Sequence, residues 1–342
     1  MAHSAGHATV AGAGLVGRLM ALRLLRRGWQ VTLFDPGGRE ARGSAAYTGA
    51  GMLAPYCELE SAEPLVSEMG RQAVTDWRAL LASLRRPVAL ADNGTLVVAH
   101  GPDQPELERL ERRARGHWES VRGARLAELE PELVGFRRGL YFPAEGHINN
   151  RELLLALADW LEQQPGLSWI DAEHDGRPAE LTLDCRGLGA RVDDPELRGV
   201  RGELLYVRAP EVHLNRPVRL MHPRYPLYVV PRQGQVYVIG ATQIESEDLG
   251  GIKVRSALEL LSALYSLHSG FAEAEVLESS VSCRPAYPDN LPRITVRGRN
   301  LRINGLFRHG FLLAPWITDL ACRLIEGRQP DPLEASVVRD LS

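Results

Sequence analysis

Residues 8–35 read ATVAGAGLVGRLMALRLLRRGWQVTLFD, and this run decides the fold. Residues 8–11 are short, apolar and partly β-branched, the composition of a buried parallel strand. Gly12-Ala13-Gly14-Leu15-Val16-Gly17 follows, a GxGxxG pattern. From Leu15 the apolar residues Leu15, Val16, Leu19, Met20 and Leu22 recur at helical spacing. Gly28 stands where a C′ glycine ends a helix. Gln30 to Phe34 reads as a second strand, with Asp35 at its end.

Each part has a physical task. Gly12 permits the tight turn from strand to helix, Gly14 lets the backbone approach a pyrophosphate, and Gly17 lets helix and strand pack closely. The start of the helix offers unpaired N–H groups and partial positive charge to phosphates. Asp35 lies 18 positions after Gly17, near the spacing of about 20 at which an acid takes a ribose hydroxyl. An acid there favours an unphosphorylated ribose, hence FAD or NAD over NADP, and the motif alone leaves both open.

Outward from this core, composition removes other classes. With 44% apolar and 24% charged residues, the 342-residue chain has the material for a sizeable core, in two domains or one discontinuous one. A net charge of −3 without a basic block argues against nucleic acid. Lys253 is the only lysine, which removes most lysine chemistry. Cys57, Cys185, Cys283 and Cys322 form no CxxC pair, so neither a disulfide framework nor a zinc site is expected, and no metal ligands are assigned. Neither an export signal nor an apolar run of membrane-spanning length is read, so a cytoplasmic, membrane-free protein is expected.

Residues 44–55, SAAYTGAGMLAP, are small and suit a backbone lying against a flat cofactor. One long helix is expected from Pro64, with Leu65, Met69, Ala73, Trp77, Leu80 and Leu84 on its buried face. Residues 93–99 and 139–142 read as strands of a second layer, separated by a charged helix at 104–115. Asn150 is placed as the cap of a helix through Leu161, and Leu181 to Asp184 as a buried strand. Strands are expected at 202–207, 227–231 and 235–240. Ser256 and Glu259 read as the capping box of a helix carrying Leu258, Leu261, Leu264 and Tyr265. Leu301 to Asn304 is a strand, and Pro315 suits the first turn of a last helix ending at Gly327. The pattern is an α/β (α+β) protein: a Rossmann-like, discontinuous nucleotide-binding domain (1–85, 144–200 and 282–342) with an inserted antiparallel β-rich substrate domain (86–143 and 201–281).

Taken in order, AGAGLVG (11–17), GAGMLAP (49–55), GLYFPAEGHINNREL (139–153), DCRGLGA (184–190), RGEL (201–204), LYVVPR (227–232), VIGAT (238–242), CRPAYPDNLP (283–292) and INGLFRHGFLLAP (303–315) resemble the D-amino acid oxidase and glycine oxidase family of flavoproteins. Within it they are most similar to the glycine oxidases of thiamine biosynthesis. The resemblance spans nearly the whole chain and selects FAD, bound without a covalent link. It implies that Arg308 pairs with the substrate carboxylate, with the Tyr228 hydroxyl on the same group and Arg284 as a second arginine lining the pocket. It also implies a cofactor shell of Gly12, Gly14, Leu15, Val16, Gly17, Asp35, Pro36, Ala45, Ala46, Gly51, Met52, Gly187, His309, Gly310, Phe311 and Leu312. A planar guanidinium binds a carboxylate in a bidentate way and a phenol adds a directional bond, so the residue types agree with those roles.

The implied reaction takes glycine or another small amino acid or amine, with O2, to the imino acid and hydrogen peroxide. A hand-off of the imine to thiazole synthase and a homo-oligomer are further implications. The flavin carries the chemistry, so no catalytic base is assigned. The sequence departs from the family in a short segment between Leu167 and Leu181, at Leu306, where a histidine is common, and around Cys185. The alternatives are a sarcosine or D-amino acid oxidase, a dehydrogenase, and a flavin-binding partner subunit without turnover. Cys283, one position off the flavin-tethering cysteine, and Lys253, outside the flavin motifs, count against the sarcosine type.

Overall fold

In the computed structural model, which describes residues 6–177, 179–224 and 226–341, the strand His7–Ala11 lies inside a seven-stranded sheet. It pairs in parallel with Gln30–Phe34 on one side and Leu181–Asp184 on the other. Leu167–Ile170 extends one edge, and Asn300–Asn304, Arg293–Arg297 and Val338–Asp340 extend the other. Only the Arg293–Arg297 and Asn300–Asn304 hairpin is antiparallel. Parallel neighbours need crossovers, and helix Leu15–Arg26 makes the first. Its Leu19, Met20, Leu22 and Leu24 are buried in one core with Leu153, Leu154 and Leu157 of helix Asn150–Glu162 and Ile317 and Leu320 of helix Gly310–Ile325. Each such fully buried side chain contributes about 1.5–3 kcal/mol.

The second sheet has eight strands, in the order Glu275–Ala286, Arg198–Arg208, Val236–Gly240, Leu227–Arg232, Val218–Met221, Thr95–Ala99, Gly139–Phe142 and Glu119–Val121. It is antiparallel except where Thr95–Ala99 runs parallel to Val218–Met221. Those two strands come from separate stretches of chain, so no hairpin sets their direction. A ribbon of Met52–Leu53, Gly146–Ile148 and Leu90–Ala91 forms a third, small sheet. The α/β architecture expected from the pattern is therefore present.

Four local expectations are corrected. The helix from Pro64 is two helices, Pro64–Gly70 and Ala73–Leu81. Gly70 is packed so tightly that a Cβ would meet Leu312 at 2.5 Å, and the chain breaks just beyond this poor helix former. Met69, Ala73, Trp77 and Leu80 are still buried, Leu65 and Leu84 only partly.

Asn149, not Asn150, caps the helix Asn150–Glu162, its side chain accepting from the Glu152 N–H. Ser256 and Glu259 form no capping box, because helix Val254–Leu267 starts before Ser256. Ser256 is buried against Glu203, and Glu259 faces Arg255. That helix is apolar on two sides: Leu260, Leu264 and Leu267 go inward, while Leu258, Leu261 and Tyr265 are exposed.

Pro315 lies inside the last helix, which begins at Gly310. Proline has no N–H for the carbonyl four residues back. That carbonyl, of Phe311, accepts instead from the Trp77 indole N–H at 2.7 Å.

Candidate active site

The glycine turn has the geometry its sequence implies. Gly12 has φ +94°, and a Cβ there would strike the Cys185 carbonyl oxygen at 2.6 Å. A Cβ at Gly17 would sit 1.8 Å from the Gly12 carbonyl oxygen. At Gly14 it would meet only Ser44 Cβ, at 3.8 Å, so the side facing a ligand is open. Gly14 is the N-cap of the first helix, without a side-chain cap and without an acid in the first turn, and Leu15 and Val16 start the helix.

The Asp35 carboxylate accepts from the Ala13 N–H at 2.5 Å and the Gly37 N–H at 2.6 Å, tying the turn to the second strand; Pro36 beside it is exposed. Arg18, which the sequence reading passed over, is fully buried and donates to the carbonyls of Ala13 (2.6 Å), Leu154 (2.5 Å) and Arg39 (2.8 Å). Burial lowers its guanidinium to about 10. The available signal was its position three residues after Leu15 and four before Leu22, on the apolar face of the helix.

The small-residue segment is a short helix, Ala45–Thr48, leading through Gly51 into the strand Met52–Leu53. Asn150 fixes it, donating to the carbonyls of Ala46 (3.0 Å) and Tyr47 (2.8 Å). Arg232 donates to the Ala50 carbonyl at 2.7 Å. Gly187 has φ +57°, and its carbonyl accepts from Asn304.

A cavity of about 300 Å³ brings together Ala45, Gly51, Met52, Tyr228, Arg284, Arg308, His309, Phe311 and Leu312, members of the expected set from four separate stretches of chain. Gly12, Gly14, Leu15, Val16, Gly17, Asp35, Pro36, Ala46, Gly187 and Gly310 do not line it. Tyr228 and Arg284 lie across the second sheet where neighbouring strands carry glycine: a Cβ at Gly240 would meet the Tyr228 Oη at 2.5 Å, and one at Gly202 the Arg284 Nη2 at 2.2 Å. Arg284 donates to the Thr242 carbonyl at 3.1 Å, and among the described residues it forms no ion pair. Burial therefore lowers its pKa, and burial raises that of Tyr228.

Arg308 already has an internal partner. Its Nε and Nη2 lie 2.8 and 2.7 Å from Glu58 Oε2. Arg219 reaches the other Glu58 oxygen at 3.3 Å and Glu60 at 2.8 Å. Burial is the largest single influence and would raise the Glu58 carboxyl, but Arg308, His309 and Arg219 together outweigh it and hold the group at about 2. His309 is buried with Nδ1 3.3 Å from Glu58, and burial keeps the ring neutral, its pKa lowered to about 4. Sequence reasoning missed Glu58 and Arg219. The only hint was a charged residue alternating with apolar ones in each run, ELE at 58–60 and VRLM at 218–221.

Gly310, Phe311 and Leu312 form the first turn of the last helix, again without a side-chain cap. Two uncapped helix starts, one under an open glycine turn and one at the cavity, fit a group carrying a pyrophosphate at one end and a hydrogen-bond acceptor at the other. Among the described residues no group of three or more His, Cys, Asp or Glu could hold a metal ion, and no helix is long and apolar enough to cross a membrane.

A nucleotide-binding sheet joined to a β-rich layer across such a cavity defines a flavin-dependent oxidoreductase, and the chain belongs to the FAD dependent oxidoreductase (DAO) family, whose model matches residues 7–324. It is 46% identical over 330 residues to a Rhizobium etli protein whose name provisionally assigns it to thiamine biosynthesis as the oxidoreductase ThiO, covering 94% of this chain and 97% of that one. It is 25% identical to a glycine oxidase of Pseudomonas aeruginosa, over 94% of this chain and 95% of the relative. The crystal structure of glycine oxidase from Geobacillus kaustophilus superposes with a TM-score of 0.80 at 24% identity, covering 95% of this chain and 96% of that one.

Proposed function

We propose that this oxidoreductase is a glycine oxidase, converting glycine or a comparably small amino acid and O2 to the imino acid and hydrogen peroxide. The observation that carries this reading is Arg284: a half-buried guanidinium without a carboxylate partner among the described residues, facing a cavity beside the Tyr228 hydroxyl. Such a group calls for an anion from outside. A substrate carboxylate would accept from Arg284 and Tyr228, with Arg308 Nη1, 3.4 Å from Gln243, turned to the same space.

Met52, Leu204, Leu227 and Phe311 supply apolar wall and exclude water. FAD, held by the glycine turn and the first turn of the last helix, would supply the electron acceptor for the substrate carbon and return the electrons to oxygen. The chain's own part is orientation and charge; His309 lines the cavity as a neutral ring, its Nδ1 3.3 Å from Glu58 without a hydrogen bond.

The name of the Rhizobium etli relative supports a role in thiamine biosynthesis; we further propose that the imine is handed to thiazole synthesis, in the cytoplasm, by a homo-oligomer. We read 1–85, 144–200 and 282–342 as the FAD-binding unit and 86–143 and 201–281 as the substrate unit, with Pro36, Ala46 and Gly187 among the cofactor contacts. Cys283 turns its thiol to the Ser246 carbonyl, and Lys253 pairs with Asp248, so neither supports a sarcosine-type enzyme with tethered flavin.

The test is anaerobic addition of glycine to the yellow holoprotein. Bleaching that reverses in air with peroxide release is expected, as is release of intact FAD on heating. A yellow protein that glycine, D-alanine and sarcosine all fail to bleach overturns the assignment.

A further inference from the structure

We propose that Glu58 is an internal carboxylate that closes a second anion site, restricting the cavity to substrates with one carboxylate. This rests on the amino-acid oxidase reading above and adds a specificity residue to it.

The argument is one of charge and occupancy. The cavity wall carries three guanidinium groups, Arg219, Arg284 and Arg308, against two carboxylates, Glu58 and Glu60, and His309 is neutral. One positive charge is left, which one substrate carboxylate balances. A second would enter a buried site with no cation free to meet it, and an unpaired buried charge is strongly disfavoured.

The cation that could have met it is Arg308, and Glu58 takes two of its nitrogens, Nε and Nη2. The remaining Glu58 oxygen faces Arg219. Glu58 thus stands where the second carboxylate of a diacid would stand, between two arginines, with a side chain only 13% exposed. Removing its charge would leave Arg308 without an ion-pair partner and Arg219 with Glu60 alone. The cavity would then hold two separate anion-binding points, one at Arg284 and Tyr228 and one at Arg308 and Arg219.

The test is calorimetric titration of the holoenzyme with acetate and with malonate, which differ by one carboxylate. In the wild type malonate should bind about tenfold or more weaker than acetate, a difference of ~1.4 kcal/mol. In Glu58→Gln the malonate affinity should rise by about tenfold relative to acetate, and the kcat/KM ratio of iminodiacetate to glycine should rise with it. Glu58→Asp keeps the charge and should keep the wild-type preference. Equal binding of the two acids by the wild type overturns the proposal, as does a Glu58→Gln enzyme whose malonate affinity moves no more than its acetate affinity. Neither acid is turned over, so the titration decides the role of Glu58 even where glycine fails to bleach the flavin.

Discussion

At the glycine turn the chain offers a ligand its backbone; at the cavity it offers side chains. The turn works by what is missing: Gly12 and Gly17 have no room for a Cβ, and the helix behind them has no capping side chain. The cavity works by what is present, three guanidinium groups and two carboxylates arranged so that Arg284 is left over. A backbone site is specified by a few adjacent residues and depends little on the identity of their neighbours. A side-chain site is assembled from distant segments, and its selectivity depends on which charges cancel internally.

The sharpest way to break the first plan is Gly17→Ala. Its methyl would lie 1.8 Å from the Gly12 carbonyl oxygen. Displacing backbone costs ~3 kcal/mol, so FAD affinity should fall about a hundredfold or more, read from the absorbance of reconstituted protein. Val16→Ile in the same turn should leave FAD affinity unchanged, since only the Val16 backbone is used there.

The second plan should respond the other way. Arg284→Ala should stay yellow and lose about 10- to 100-fold in kcat/KM for glycine, one charge-assisted hydrogen bond being worth about 1.5–3 kcal/mol. Steady-state peroxide release measures it.

A smaller effect should appear on acidification. The folded protein holds the His309 ring neutral, with a pKa of about 4 against an ordinary 6.5. Protons are therefore taken up more readily by the unfolded chain, and stability that is full above about pH 6.5 is lost as pH falls toward 4. Thermal melting should show Tm declining over that window, and less steeply in His309→Asn. Glu58, held at about 2, contributes stability that is full above its ordinary 4.5 and is lost only as pH falls from there toward 2.

The smallest effect lies outside both sites. Asn149→Ala removes one helix cap and should cost about 1 kcal/mol in urea denaturation, with FAD affinity unmoved.

The same contrast explains what could be read from the chain. Strand, turn, helix and Asp35 are local, so residues 8–35 place them without help from the rest of the molecule. Tyr228, Arg284 and Arg308 come from three distant stretches and meet only in three dimensions. Motif order pointed to them, while nothing local distinguished them from the other arginines. Glu58 and Arg219 were illegible because their meaning is their mutual pairing. Asn150 was read as a cap because its type favours one, yet the neighbouring Asn149 took that role and freed Asn150 to hold the Ala46 and Tyr47 carbonyls. Pro315 was read as a helix start because an interior proline is costly, and here a tertiary partner for the orphaned carbonyl offsets that cost.

That partner turns Trp77 into a reporter. Its fully buried indole proton is held by the first turn of the last helix, the turn read here as facing the flavin. Deuterium can replace this proton only when the turn and the helix Ala73–Leu81 part company, so its exchange reports the free energy of that opening, in the dark, with no substrate present.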